Sequence, residues 1–329
     1  MAVMTSPGGT RVLVLVGPTA SGKTEVALHL AALLGGEIIS ADSRQVYKFL
    51  DVGTAKPAVG ERRRIPHHFI DLLQPGEDFN AGRFGEEGRR VIDEVTRRGS
   101  MPIVVGGSGL YVRSLIDGFF NGPGADPEIR ESLQARLAQD GLASLMNELR
   151  RVDPATAAVI DPTKPRRVVR ALEVFLTTGQ PLSCRQKEGR ISIMFTPVLF
   201  GLLWDRKLLY ERIDRRCERM IGDGLVEEAD RLERKGLSPL FNALNTVGYR
   251  EAFAFLHGEI DREEMIRLFQ RNSRRYAKRQ MTWFRRDARI TWIPMDARTT
   301  PQAAADRIAR DFTACAIDEI GPIPSGDHS

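Results

Sequence analysis

The chain has 329 residues, 42% of them hydrophobic, and a formal net charge of +5 at pH 7 with a pI near 9.3. This length can bury the core of one large α/β domain with an insertion, or of two domains. No apolar run is long enough to cross a bilayer, which excludes a protein with membrane-spanning helices.

The N-terminal segment and the cysteines indicate the setting of the protein. Residues 1–10 are short and polar and lack an apolar signal core, so we interpret them as a disordered leader of a cytoplasmic protein. Cys184, Cys217 and Cys315 lie far apart and lack metal-ligand spacing. They are typical of a reducing compartment and argue against a disulfide framework or a zinc site.

A phosphate-binding pattern follows the first apolar run, residues 12–16. The pattern consists of Gly17, Pro18, Thr19, Ala20, Ser21, Gly22, Lys23 and Thr24, which we call the P-loop. Between a strand and a helix, its glycines let backbone N–H groups face an oxyanion, Lys23 adds a positive charge, and Thr24 offers a hydroxyl to Mg²⁺. The helix that follows points its positive end at the same place. The pattern predicts a phosphate or diphosphate ligand, and by itself it does not specify ATP.

Strand and helix patterns alternate along much of the chain. We predict strands over residues 11–16, 37–41, 101–105, within 194–204 and within 290–294, and helices that include residues 24–34 and 83–98. This alternation indicates a mostly parallel α/β sheet covered by helices, with its ligand at the carboxyl ends of the strands. The adjacent His67 and His68 lie in a loop-like stretch, and we expect them to be solvated rather than to bind a metal.

A purely helical pattern begins near residue 122. Helical patterns at residues 126–137, 142–149 and 166–176 are not interrupted by a strand signal until after about residue 190. We therefore predict a helical insertion domain over residues 122–190, within an α/β core formed by residues 11–121 and 191–316. Residues 317–329 are rich in glycine and proline, and we predict a disordered tail.

One predicted helix concentrates positive charge. Between Arg267 and Arg286 the chain has eight basic residues and no acidic residue. At 100° per residue, the cations Arg267, Arg271, Arg274, Lys278 and Arg285 lie on one face, and the aromatic residues Phe269, Tyr276 and Trp283 lie on the other. The aromatic stripe is typical of a core-facing side. A stripe of one charge sign favours an anionic partner such as RNA, and the clusters Arg166, Arg167, Arg170 and Arg212, Arg215, Arg216, Arg219 agree with it.

Several further segments gain meaning from their order. They are residues 38–47, 51–57, 104–111, 245–250 and 278–285. Taken singly, Asp42 could cap a helix, Ser108 could belong to a turn, and Arg250 could form a surface ion pair. Together with the P-loop, from about residue 12 to about residue 292, they closely resemble the bacterial tRNA dimethylallyltransferases, also called tRNA isopentenyltransferases.

The resemblance implies a specific reaction. The family transfers a dimethylallyl group from dimethylallyl diphosphate to N6 of the adenosine at tRNA position 37, beside the anticodon. It implies a P-loop NTPase-like core, a requirement for Mg²⁺, and two binding partners, dimethylallyl diphosphate and the tRNA anticodon stem-loop. We expect no membrane association and a monomeric protein.

The resemblance also assigns residues. Asp42 is the implied general base, Lys23 and Arg250 are the cations for the diphosphate, and Ser108 stands where many members have threonine. The P-loop binds the diphosphate, and Thr24 is the implied Mg²⁺ ligand. The implied tRNA-binding residues are Asp42, Ser43, Arg44, Gln45, Ser108, Arg130, Arg166, Arg167, Arg170, Asn245, Thr246, Val247, Gly248, Tyr249, Arg250, Lys278, Arg279, Gln280, Met281, Thr282, Trp283, Phe284 and Arg285.

Three other functions use parts of the same pattern. A small-molecule kinase would share the P-loop, but the third predicted strand ends in two glycines without an acidic residue for MgATP. A prenyltransferase acting on free adenine nucleotides would not need the basic helix. A non-catalytic RNA-binding protein would leave the P-loop beside Asp42 without a use.

Overall fold

The computed structural model describes residues 10–118, 126–188, 193–237 and 239–317. The chain divides into two compact units, Met1–Ile116 together with Met194–Ser329, and Asp117–Ile193. The predicted leader up to residue 9, the predicted tail from residue 318, and the predicted insertion boundaries at residues 122 and 190 lie outside the described residues.

The first unit is built on a parallel sheet. Its strands are β1 (Thr10–Val16), β2 (Gly36–Ser40), β3 (His67–His68), β4 (Met101–Gly106), β5 (Phe195–Trp204) and β6 (Thr291–Met295). They pair in the order β3-β2-β4-β1-β5-β6, and every pair is parallel. Because both faces are covered by helices, the strands are nearly continuous apolar runs, as in β1 and β4. The predicted parallel α/β fold is confirmed.

The helices are divided between the two units. In chain order they are α1 (Lys23–Leu34), α2 (Val59–Arg64), α3 (Ala81–Arg97), α4 (Gly109–Ile116), α5 (Pro127–Val152), α6 (Pro154–Val159), α7 (Pro165–Thr178), α8 (Leu182–Glu188), α9 (Arg206–Gly222), α10 (Leu225–Arg234), α11 (Tyr249–Leu256), α12 (Arg262–Phe284) and α13 (Pro301–Ile317). The helices α1–α4 and α9–α13 belong to the first unit, and α5–α8 form the second. In the part of the chain that the structure describes, no helix is long and apolar enough to cross a membrane.

The pair His67 and His68 forms an edge strand, so the loop interpretation is wrong. The two residues pair with Ile38 and Ile39 of β2. His68 Nε2 lies 2.7 Å from Glu37 Oε2, and Arg98 donates to the same oxygen at 2.8 Å. The buried carboxylate of Glu37 thus anchors the edge of the sheet, and its pKa is lowered by these two partners although burial opposes the shift.

The second unit, residues 117–193, has a small apolar core of its own. Leucines of α5 pack against Val168, Val169 and Leu172 of α7, and all of these side chains are buried. The two helical patterns predicted on either side of residue 140 belong to one element, α5, which is interrupted at Gly141. Gly141 has φ 77°, a left-handed conformation that glycine adopts without a steric penalty.

Candidate active site

The P-loop occupies the centre of the sheet edge. β1 lies between β4 and β5 and ends at Val16, and α1 begins at Lys23. Gly22 precedes α1 with φ 89°, and no side chain within the described ranges caps this helix. The first N–H groups of a helix lack intrahelical partners, so an uncapped N-terminus can bind an anion through these groups.

Three side chains, one of them from the loop itself, fix the shape of the loop by donating to its carbonyl oxygens. Lys23 Nζ donates to Pro18 O at 2.6 Å. Arg212 Nε donates to Ala20 O at 2.9 Å, and Trp204 Nε1 donates to Ser21 O at 2.9 Å. The hydroxyl of Ser21 is buried and has no hydrogen-bond partner among the described residues. The loop is therefore held in place before any ligand binds.

A cavity of about 910 Å³ opens in front of this loop. The segments that line it are residues 19–25 of the P-loop and α1, residues 42–45 after β2, residues 51–59, and residues 105–107 at the end of β4. α9 and α12 contribute Arg216, Tyr276 and Gln280. The structure thus brings the P-loop and Asp42 to one cavity, as predicted for the carboxyl ends of parallel strands.

Two half-buried cations, Lys23 and Arg216, stand at the loop. Arg216 Nη1 donates to Thr19 Oγ1 at 2.5 Å. Burial and the nearby Arg216 lower the pKa of Lys23 to about 7, although Asp42 acts in the opposite direction. Burial also lowers the pKa of Arg216. Two half-buried cations held close together favour binding of an anion, because an anion offsets their mutual repulsion and the cost of their partial burial.

Asp42 follows β2 and caps a short turn. Its Oδ1 accepts the N–H of Arg44 at 2.8 Å and that of Gln45 at 3.4 Å. Its Oδ2 makes no hydrogen bond or ion pair with the residues that the structure describes. One carboxylate oxygen therefore holds the turn, and the other is left to act on a ligand.

Ser108 supports this turn and does not line the cavity. Its hydroxyl accepts the N–H of Ser43 at 3.2 Å. The hydroxyl also lies near Tyr276 of α12, whose pKa is raised to about 12 by burial and by the charge of Asp42, although Ser108 opposes the shift. Ser108 thus lies between the turn of Asp42 and α12.

Gln280 links α12 to the P-loop, which differs from its predicted role in tRNA binding. The side chain is buried, and its Oε1 accepts the N–H of Thr19 at 2.8 Å. Its Nε2 donates to Gly107 O at 2.9 Å. Gln280 therefore joins the P-loop to the end of β4 and does not reach the surface.

The faces of α12 differ in part from the predicted ones. Phe269 is buried as predicted, but Tyr276 faces the cavity and Trp283 is 37% exposed. Trp283 lies over Gly109, where a Cβ atom would come within 2.1 Å of the indole ring. Phe284, predicted to bind tRNA, is buried.

The basic stripe of α12 is partly neutralised. Arg267 forms two hydrogen bonds of 2.5 Å with Glu264, and Arg274 pairs with Asp214 of α9. Lys278 and Arg285 are exposed and form no ion pair with the described residues. Arg279 and Thr282 are exposed as well, and Met281 is half-buried. The predicted stripe of one charge sign is thus wrong at Arg267 and Arg274. Glu264, at the start of α12, neutralises the first, and Asp214 of α9 neutralises the second.

The segment 245–250 is divided between cavity, core and surface. Thr246 and Val247 line the cavity, and Asn245 is exposed. Gly248 and Tyr249 are buried, which contradicts their predicted contact with tRNA.

Arg250 is not brought to the P-loop. Its side chain is half exposed and lies 3.8 Å from Glu251, outside the cavity lining. The structure places Arg216 where Arg250 was predicted to act. In the sequence, Arg212 and Arg216 belong to a cluster predicted to bind RNA. Their spacing of four residues puts both on one face of α9, and this was the signal for a shared position at the P-loop.

In the second unit, the predicted tRNA-binding arginines differ from one another. Arg130 and Arg170 both pair with the fully buried Glu173, at 3.1 and 2.9 Å. Arg166 and Arg167 are exposed in the first turn of α7. Of these four arginines, Arg130 and Arg170 are neutralised by Glu173. Arg166 and Arg167 face solvent and form no ion pair within the described part of the chain.

The chain is similar to known proteins along most of its length. Residues 45–287 match the family described as IPP transferase. The tRNA dimethylallyltransferase of Pelotomaculum thermopropionicum is 44% identical over 299 residues, which are 91% of this chain and 95% of the relative.

Two solved structures are similar along nearly the whole chain. The full-length tRNA isopentenylpyrophosphate transferase of Bacillus halodurans has a TM-score of 0.69 and 39% identity, covering 94% of this chain and 97% of that one. A eukaryotic dimethylallyltransferase acting on tRNA has a TM-score of 0.79 and 27% identity, covering 96% of this chain and 81% of that one. The chain belongs to the IPP transferase family, the family of the tRNA dimethylallyltransferases.

Proposed function

We propose that this enzyme transfers the dimethylallyl group of dimethylallyl diphosphate to N6 of the adenosine at tRNA position 37, next to the anticodon, with release of diphosphate. The observation that carries the proposal is a single cavity that Lys23 of the P-loop, Arg216 of α9 and Asp42 all line. The names of the similar proteins support the class of donor and acceptor.

The P-loop would stabilise the leaving group. When the bond between C1 of the prenyl group and oxygen breaks, negative charge grows on the diphosphate. The uncapped N-terminus of α1, Lys23 and Arg216 adjoin the cavity in which we propose that the diphosphate binds. Such prearranged groups stabilise the transition state more than the ground state.

Asp42 would act on the acceptor. The N6 amino group is a weak nucleophile because its lone pair is delocalised into the purine. A carboxylate that accepts an N–H of this group orients it and removes the proton as the new bond to C1 forms. The base must leave the stack of the anticodon loop to reach the cavity.

The oxygen atoms of the cavity suit Mg²⁺, which prefers hard oxygen ligands and usually binds through few protein groups and substrate phosphates. The hydroxyl of Thr24 lines the cavity, and the buried hydroxyl of Ser21 has no partner among the described residues. We propose Thr24, with Ser21 beside it, as the protein ligands. When bound, Mg²⁺ would neutralise charge on the departing diphosphate.

We expect the affinity for dimethylallyl diphosphate to fall about tenfold per pH unit above pH 7. The pKa of Lys23 is lowered to about 7, and only its protonated form attracts the diphosphate. Below pH 7 Lys23 already has its proton, and above pH 7 binding must first take up a proton. Calorimetric titrations between pH 6 and pH 9, in buffers of different protonation enthalpy, measure this uptake.

The control for this experiment is Lys23→Arg, whose guanidinium stays protonated throughout this range. The titration of the diphosphate itself is common to both proteins. Equal proton uptake by the two proteins would show that Lys23 is not the responsible group.

We expect Lys278→Ala/Arg285→Ala to weaken tRNA binding and to make its salt dependence shallower by roughly one logarithmic unit per cation removed. Both side chains are exposed on α12. Arg267→Ala, on the same helix but paired with Glu264, is the matched control and should leave the slope unchanged. Binding isotherms at four salt concentrations give the slopes, and identical slopes in all three proteins would mean that this face does not contact RNA.

A direct assay tests the function. The protein is incubated with dimethylallyl diphosphate, Mg²⁺ and unmodified tRNA, and the digested nucleosides are analysed for prenylated adenosine. ATP added as a competitor and AMP offered as an acceptor distinguish the kinase and the free-nucleotide prenyltransferase. Prenylation of AMP in preference to tRNA, or phosphate transfer from ATP, would refute the proposal.

A further inference from the structure

Glu228 of α10 holds a loop of the cavity wall by its backbone. Its Oε2 accepts the N–H groups of Asp51 and Val52 at 3.0 and 2.9 Å, and its Oε1 accepts that of Gly53 at 3.0 Å. The residue is only 4% exposed. We call these contacts the Glu228 clamp. They fix residues 51–53, which line the cavity and have no regular secondary structure of their own.

Tyr249 completes the clamp from a second element. Its hydroxyl donates to Glu228 Oε1, and its side chain is fully buried. Burial and the carboxylate of Glu228 raise the pKa of Tyr249, so the hydroxyl remains a donor. Its ring lies against Gly53, where a Cβ atom would come within 2.4 Å of Cζ. Loop and helix α11 therefore meet at Glu228 without space for a side chain between them.

The clamped loop is in turn bonded to the turn of Asp42. Gln45 Nε2 donates to the carbonyl oxygens of Thr54 and Ala55, both at 3.3 Å. Gln45 itself belongs to the turn that Asp42 caps. Hydrogen bonds and short stretches of backbone thus connect Glu228 through the loop to the predicted general base.

The Glu228 clamp depends on both oxygens of the carboxylate, so Glu228→Gln should weaken it. Glu228 forms no ion pair with the described residues, and its two oxygens are satisfied only by the four donors named above. A glutamine in its place has one oxygen and one N–H₂ group. It would leave at least one of the three backbone N–H groups facing another N–H instead of an acceptor.

We propose that Glu228 is a positioning residue of the transfer reaction, one that sets the place of Asp42 by clamping residues 51–53. The inference rests on the proposed function. Because displacement of a reacting group by about 1 Å can cost 10²-fold in rate, the effect of the clamp should appear in the chemical step. It should not appear at the P-loop, whose contacts with Lys23 and Arg216 are separate.

The test compares Glu228→Gln with the exposed neighbour Glu227→Gln. For Glu228→Gln we expect the single-turnover rate of tRNA prenylation to fall about 10- to 100-fold. Affinity for inorganic pyrophosphate, measured by calorimetry, should stay within threefold of the wild type. Glu227→Gln should match the wild type in both measurements. A parallel loss of rate and pyrophosphate affinity, or an unchanged rate, would overturn the proposal.

Amide hydrogen exchange separates the clamp from the function. In Glu228→Gln the amides of residues 51–53 should exchange at least tenfold faster, while those of β1 remain protected. Unchanged exchange at these amides would overturn the clamp whether or not tRNA is prenylated. A wild-type protein that does not prenylate tRNA would overturn the proposed function instead.

A second variant approaches the same loop from the other side. Gly53→Ala places a methyl group against the ring of Tyr249 and leaves Glu228 intact. We expect the same loss of single-turnover rate with retained pyrophosphate affinity. A wild-type rate in this variant, with the loop amides exchanging faster, would show that loop position does not control the chemistry and would overturn the proposal.

Discussion

Asp42→Asn is expected to lower the single-turnover rate of dimethylallyl transfer by about 10²-fold or more, with affinities for tRNA and pyrophosphate changed only a few-fold. The amide cannot take the proton from N6. Its oxygen can still accept the N–H of Arg44, a bond of 2.8 Å in this structure, so the turn is preserved. Rapid-quench measurement with saturating tRNA reports the rate of the chemical step.

Asp42→Ala provides the comparison that separates chemistry from turn geometry. Alanine removes both the proton acceptor and the cap of the turn. If the proton transfer dominates, both variants lose most of the rate. A near-normal rate in Asp42→Asn together with a low rate in Asp42→Ala would assign Asp42 a purely structural part.

Arg216→Ala is expected to lower kcat/KM for dimethylallyl diphosphate by roughly 10²–10³-fold. The substitution removes a half-buried cation next to the P-loop and its hydrogen bond of 2.5 Å to Thr19. Since Arg216 lowers the pKa of Lys23, its removal should also raise the pH above which binding weakens. Steady-state kinetics and binding across pH test both effects.

Arg206→Ala is the matched control on the same helix. Arg206 is exposed, and its guanidinium lies over the ring of Tyr210 rather than in the cavity. This variant should stay within twofold of the wild type. A similar loss in both variants would point to general positive charge on α9 and would contradict a specific contact by Arg216.

The sheet and the P-loop were predictable because their signals are local. An apolar run followed by glycines, lysine and threonine specifies β1, the loop and the start of α1 within fifteen residues or so. The strand β3 was missed because it has two residues, and only its pairing with β2 defines it. Its neighbours in space, Glu37 and Arg98, are remote in sequence.

The roles of Arg216, Gln280 and Glu228 were not predictable for the same reason. Their partners lie 197, 261 and about 176 residues away along the chain. Helical periodicity separates the faces of α12 but does not say which element covers each face. Trp283 packs against Gly109 and stays partly exposed, and Tyr276 faces a cavity that no pattern within α12 encodes.

Helix α12 contacts the P-loop on one side and faces solvent with cations on the other, which restricts the insertions and deletions that it can accept during evolution. Gln280 on the inner side and Lys278 on the outer side are two residues apart on one rigid rod. A single residue inserted between Tyr276 and Lys278 would rotate the residues beyond it by about 100°, which would move Gln280 away from Thr19 and turn Lys278 away from its present outward direction. Insertions and deletions can therefore accumulate in surface loops, whereas α12 must keep its number of residues.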